Sequence, residues 1–142
     1  MKKIILLTIT LLILIMAFAS CDTGDNGGDD KPTITGYYFN RGEFVEGTSW
    51  TVIITNDLYP EFVYAQMNNI SGNENLFEDL RTGDKIKITF TGDIKELGAP
   101  IISVYGYELI ERGNIENIIK AVPENTWELW KSAGWIDGII RE

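Results

Sequence analysis

The stretch Asn75-Leu76-Phe77-Glu78-Asp79-Leu80-Arg81-Thr82-Gly83-Asp84-Lys85-Ile86-Lys87-Ile88-Thr89-Phe90-Thr91 changes its apolar period half-way along. In the first six residues Leu76, Phe77 and Leu80 share a face at helical spacing, Asn75 is placed to cap, and Glu78 follows three positions later. Gly83 supplies the helix stop. From Lys85 the period becomes two: Ile86, Ile88 and Phe90 point one way, and Lys85, Lys87, Thr89 and Thr91 the other. One or two helical turns therefore run through Gly-Asp into a half-buried strand.

Outward from this stretch the chain reads mainly as strand. Thr33 to Phe39 is β-branched and aromatic, the mix that suits a pleated surface. Asn40 to Glu43 forms a turn, Phe44-Val45 a short strand, and Ser49 to Thr55 a strong one with Trp50, Val52 and Ile54 on one face. Phe62 to Met67 is a further strand after Pro60, and residues 68–73 are a polar loop. Gly92 to Gly98 is predicted as a connection, and Ile101 to Glu111 as a final strand with a bulge or bend at Gly106. Two short helices close the chain: Ile115 to Val122 behind the cap Asn114, and, after Pro123, Thr126 to Ala133 with its stop at Gly134.

This order resembles an OB-fold, a small five-stranded barrel with a short helix between strands three and four. The fold class expected is therefore mainly β (α+β), with two short C-terminal helices added. A β-sandwich or open meander with helices at one end is the alternative.

The first residues carry an address. Lys2 and Lys3 precede an apolar run from Ile4 to Phe18, then Ala19, Ser20 and Cys21. Charged, apolar and small-residue regions in that order make a secretory signal, and the apolar run is short for a membrane span. Phe18-Ala19-Ser20-Cys21 resembles the lipobox of bacterial lipoproteins, with Phe18 where Leu is usual. The resemblance implies a diacylglycerol on the Cys21 thiol, cleavage before Cys21, and acylation of the new amine. Several acyl chains give stable anchoring where one is marginal. No other cofactor is implied. More narrowly, Gly83 to Glu111 looks like the small OB-like lipoproteins of bacteria typified by the YobA family. These share a lipobox, a Gly-Asp start to a strand, and a connection like Gly92-Asp93-Ile94-Lys95-Glu96 to Ala99-Pro100. That family's activity is undefined, so the resemblance implies architecture and anchoring rather than chemistry.

The expected organisation is a signal peptide over residues 1–20, an acidic Gly/Asp-rich tether over 21–32, and one domain over 33–142. The tether holds no apolar residue between Asp22 and Pro32 and is read as an extended spacer of at most ~40 Å. Removing the signal leaves ten basic residues against 21 acidic ones, a net of about −11. That balance argues against nucleic acid and against adsorption to anionic head groups, so the membrane contact expected is the lipid. The chain has no histidine, and its one cysteine is the lipidation site. Ser-His-Asp, Cys-His and His- or Cys-ligated metal chemistry are thereby excluded from the mature domain.

What remains is aromatic. Trp50, Phe62, Tyr64, Tyr105 and Tyr107 fall on strands that would form the binding side of an OB barrel, or else fill its core. With strict alternation in the last strand, Tyr105 and Tyr107 share one face and Val104 and Ile110 the other. Trp127 and Trp130, with Trp135, either dock the last helices onto the barrel or present a face to a partner. Glu43 with Glu46, and Glu78 with Asp79, are the nearest thing to acid/base pairs, and surface charge is their default role. The function expected is a non-catalytic, lipid-anchored binding module of the cell envelope, facing the periplasm or exterior, for a peptide, protein or glycan. A structural or accessory subunit of an envelope assembly and a carboxylate-dependent glycan hydrolase are the alternatives.

Overall fold

The alternation at Ile86, Ile88 and Phe90 builds one wall of a closed barrel. The computed structural model describes residues 30–47, 50–59 and 62–141. Its strands are β1 (Thr33–Asn40), β2 (Thr51–Tyr59), β3 (Phe62–Asn69), β4 (Lys85–Leu97) and β5 (Ala99–Glu111), followed by helices α1 (Ile115–Ala121) and α2 (Glu124–Ser132). Around the barrel the order is β1-β2-β3-β5-β4, and β4 pairs back onto β1. Every pairing is antiparallel except β3 with β5. The fold is thus a small, mixed, OB-like barrel with two short helices after the strands. The signal, Cys21 and the tether as far as residue 29 lie outside the described residues.

Two apolar layers follow from the strand faces. Inside the barrel, Ile34, Tyr38, Ile53, Ala65, Ile86, Ile88, Ile102 and Val104 form one core, closed at its end by Leu76, Phe77 and Leu80. Outside it, Phe39, Val52 and Ile54 form a second core with Ile118, Val122, Trp127, Trp130 and Ile136. Val52, Ile53 and Ile54 are consecutive and all buried. β2 is therefore covered on both sides, a burial pattern that period two alone does not produce.

Local structure departs from the sequence reading in three places. Glu74 to Asp79 is a run of turns rather than a helix between β3 and β4. Its backbone bonds step back three residues (Leu76 to Asn73, Glu78 to Asn75, Leu80 to Phe77), and Asn73 Oδ1 accepts the Asn75 N–H. Asn and Ser side chains here compete for the backbone groups that a helix needs. Leu76, Phe77 and Leu80 still face the core together. Second, Phe44 lies in a turn after the 3-10 segment Arg41–Glu43, not in a strand, and its ring stacks on Phe39 with centroids 5.7 Å apart. Third, the expected connection after Gly92 is strand: β4 runs on to Leu97, which pairs with Ala99 across Gly98 at φ +100°.

One polar staple fastens the barrel to the helices. The Asp84 side chain is fully buried, and its carboxylate accepts from the Arg81 and Gly113 N–H groups at 3.0 and 2.9 Å and from Arg112 Nη1 at 2.7 Å. Burial pushes this carboxyl up, but the Gly113 and Arg81 N–H groups and the Arg112 guanidinium outweigh it and hold it below its ordinary 3.8. Beside it Gly83, at φ +96°, lets the chain pass against Asn114, whose carbonyl oxygen a Cβ would strike. Asn117 Nδ2 donates to Gly83 O at 3.0 Å, and Asn114 Oδ1 caps α1.

Asp84→Asn should cost about 2–4 kcal/mol, because it removes the charge that satisfies three donors. The group's folded pKa is depressed, so its contribution is complete at neutral pH and is lost as pH falls below about 3.8 through the folded value. Urea midpoints of wild type and Asp84→Asn should therefore converge in that acid window. Gly83→Ala should prevent stable folding, whereas Gly106→Ala, which meets nothing within 4 Å, should stay within about 0.5 kcal/mol of wild type.

Candidate functional site

OB barrels take their ligands on the outer face of strands two and three and the neighbouring loops. In this chain that face is aromatic and aliphatic. Val52 and Ile54 project outward from β2, with Trp50 just before them; Phe39 pairs opposite Val52, and Tyr64 opposite Ile54. Two of the predicted ligand-binding residues, Trp50 and Tyr64, are thus brought together, with a ring separation of 6.3 Å.

The face is occupied by the chain's own C-terminal layer. Trp130 stacks on Phe39 at 5.4 Å and meets Tyr64 edge-on at 5.1 Å. Trp135 meets Trp50 edge-on at 4.4 Å, and the Arg41 guanidinium lies 5.1 Å from the Trp135 ring centre. Edge-to-face and offset contacts at these distances are the favoured geometries of ring quadrupoles. Trp130 is completely buried and Trp127 is 3 % exposed. Both dock onto the barrel, so neither forms the partner-facing surface that was the other reading of their spacing; α2 is too short to hold itself without such packing.

How this layer is held differs from the rest of the molecule. Among the described residues, no hydrogen bond or ion pair joins the segment from Pro123 to Arg141 to the barrel or to α1. Its polar contacts are internal, such as Ser132 Oγ to Leu129 O and Arg141 to Glu124 at 3.2 Å. Among the described residues, the buried side-chain polar atoms lacking a hydrogen-bond partner are Trp130 Nε1, Arg41 Nε and Arg141 Nη1. Trp130 is inside the layer, Arg41 lies against Trp135, and Arg141 lies over Trp127 at 5.6 Å. For the Trp130 indole N–H the cost is about 1–3 kcal/mol relative to a paired group. The ion-pair distance of Arg141 does not contradict its place among these atoms, since its Nη1 is near Glu124 without hydrogen-bond alignment.

The remaining predicted positions separate. Thr89 pairs with Gly106 but Phe90 with Val104, so Tyr105 is the extra residue of a β-bulge. The bulge reverses the side-chain parity of β5. Tyr105 is exposed, with Lys31 Nζ 3.8 Å above its ring, while Tyr107 packs inward against Phe77 at 6.2 Å. Ile110, expected on the face of Val104, is instead 48 % exposed. Phe62 opens β3 opposite Tyr59; its side chain, like Cys21, lies outside the described residues.

Glu43, Glu46, Glu78 and Asp79 are all exposed. Among the described residues no group of three or more acidic, His or Cys side chains is placed to hold a metal, and no helix is long and apolar enough to cross a membrane. The floor of the covered face is Phe39, Val52 and Ile54; the sequence reading put Val52 and Ile54 on the face of Trp50 but assigned neither to the site, and it missed Phe39. Their signal is the unbroken run Val52-Ile53-Ile54 and its neighbour Tyr37-Tyr38-Phe39, which announce strands buried on both sides.

No protein-family model, curated protein or solved structure matches the chain. Its functional reading therefore comes from the covered aromatic face.

Trp130→Ala should cost about 3–5 kcal/mol, as for other buried aromatic truncations. Trp130→Phe should cost clearly less, because it keeps the stack on Phe39 and deletes the unpaired N–H. Tyr105→Ala should cost no more than about 1 kcal/mol, the scale of an exposed cation–π contact. Thermal or urea denaturation ranks all three.

Proposed function

We propose that this chain is a lipid-anchored, non-catalytic binding module of the bacterial cell envelope, whose recognition surface is the outer face of β2 and β3. The observation that carries the reading is the cluster Phe39, Trp50 and Tyr64 on the face that OB barrels use for ligands. Large rings presented on a rigid sheet are the residues that dominate recognition, because they bring contact area with few rotatable bonds. The lipobox-like Phe18-Ala19-Ser20-Cys21 supports anchoring through Cys21, and the chain's acidity leaves that lipid as the membrane contact. A peptide or protein segment is the partner class favoured over a glycan, because indole rings of a polypeptide segment, Trp130 on α2 and Trp135 just after it, already fit this face in the closed molecule.

Two measurements test the reading. Mass spectrometry of the native product should find the chain beginning at Cys21, with diacylglycerol on sulfur and an acylated amine. An unmodified sulfur or another first residue overturns the anchoring. Photo-crosslinking in the intact envelope from several surface positions should return the same protein repeatedly. No reproducible adduct, or hydrolysis of purified envelope glycan by the isolated protein, overturns the binding reading.

A further inference from the structure

Among the described residues, the polar bonds that tie the chain to the barrel and α1 stop at Val122. Up to that point the chain is fastened by directional contacts: Asp84 to Gly113 and Arg112, Asn117 to Gly83, and Val122 N–H to Ile118 O. Beyond it, Pro123 opens α2 with no side-chain cap bond, and among the described residues the segment from Pro123 to Arg141 rests on the barrel by ring and aliphatic contacts and the Arg41–Trp135 cation–π contact. Among the described residues, the buried indole N–H of Trp130, at the centre of this segment's packing, has no hydrogen-bond partner. A layer whose polar bonds are internal, whose hold on the barrel is apolar and aromatic, and which is joined through a proline has the bonding pattern of a separate cooperative unit. Uncovering it exposes the Phe39, Trp50 and Tyr64 face.

We propose that residues 123–141 are a lid hinged at Val122-Pro123, which opens without unfolding the barrel and yields its place to a tryptophan-bearing helical segment of a partner protein. This deepens the binding reading above and rests on it. The lid itself defines the partner's chemistry. Trp127, Trp130 and Trp135 fill the face with indoles three and five residues apart, so a competing segment must offer rings at similar spacing to displace them. No hydrogen bond to the barrel has to be broken or replaced during exchange, so a competitor needs shape and rings rather than a matched polar pattern. In the free protein the lid excludes apolar ligands that cannot outcompete three tethered indoles.

Native-state hydrogen exchange on the full chain tests this directly. Amides of α2 should exchange at least about tenfold faster than those of β4 and α1, through an opening whose denaturant dependence is above zero, because the ring face enters water, yet well below that of global unfolding. Adding a synthetic peptide of residues 124–141 should accelerate α2 exchange severalfold further and leave β4 unaffected. If α2 amides exchange only together with β4, the lid is overturned while the module reading stands on its own crosslinking test. If α2 opens alone but the peptide has no effect, or a chitooligosaccharide accelerates it instead, the protein-segment partner is overturned. A thiol reagent gives an independent readout in a Cys21→Ser background. Ile136→Cys should be labelled under native conditions, and Ile88→Cys only on global unfolding; equal rates overturn the hinge.

Discussion

The constraint on which the rest of this structure depends is the double-sided burial of β1 and β2. Ile53 and Tyr38 point into the barrel, while Val52, Ile54 and Phe39 point out of it, and all five are buried. A barrel with that outer face bare would show water a continuous apolar patch, the kind that soluble proteins cover or use. The C-terminal helices meet that requirement. They are amphipathic and too short to persist alone, so the same contact that hides the strand face also creates the helices. Fold and candidate site are for this reason one object: the surface an OB barrel offers to ligands is here half of a hydrophobic core.

The two ends of that core are secured by different physics. At the β5–α1 junction a buried carboxylate gathers two backbone N–H groups and an arginine, and two glycines allow backbones to touch. Such bonds fix angles and distances, and they set where α1 starts and which way it runs. Past Pro123 the hold on the barrel comes from water exclusion, dispersion and ring contacts; the first two have no required direction, and ring contacts prefer geometries without fixing them as a hydrogen bond does. The division leaves one short segment well buried yet without directional bonds to the sheet beneath it among the described residues.

Much of the barrel was legible from period alone. The two-residue alternation of Lys85 to Thr91 gave β4 its inward face, and Asn114 and Pro123 marked the helix borders close to where they lie. The alternation argument failed where it assumed an unbroken ladder. At Tyr105 a bulge adds one residue, so Tyr105 and Tyr107 part to opposite sides and Ile110 moves outward. Gly106 signalled the irregularity, but a sequence does not say which neighbour becomes the extra residue. The staple at Asp84 was illegible for a different reason. Its partners are Arg81 nearby and Arg112 and Gly113 far along the chain, and only the tertiary fold joins them.

The aromatic residues show how chemistry and location come apart. Composition identified rings as the groups most able to bind, and Trp50 and Tyr64 do come together on the outer face of the β2–β3 sheet. What composition could not supply is that their first partners are other rings of the same chain. A binding surface and a core use the same residues for the same reason, since both gain by removing large apolar area from water. The difference lies in what the covering element is bonded to. A cover tied into the sheet by hydrogen bonds is part of the core. One held by rings alone, behind a proline, with its buried indole N–H unpaired, keeps the character of a bound ligand that happens to share the chain.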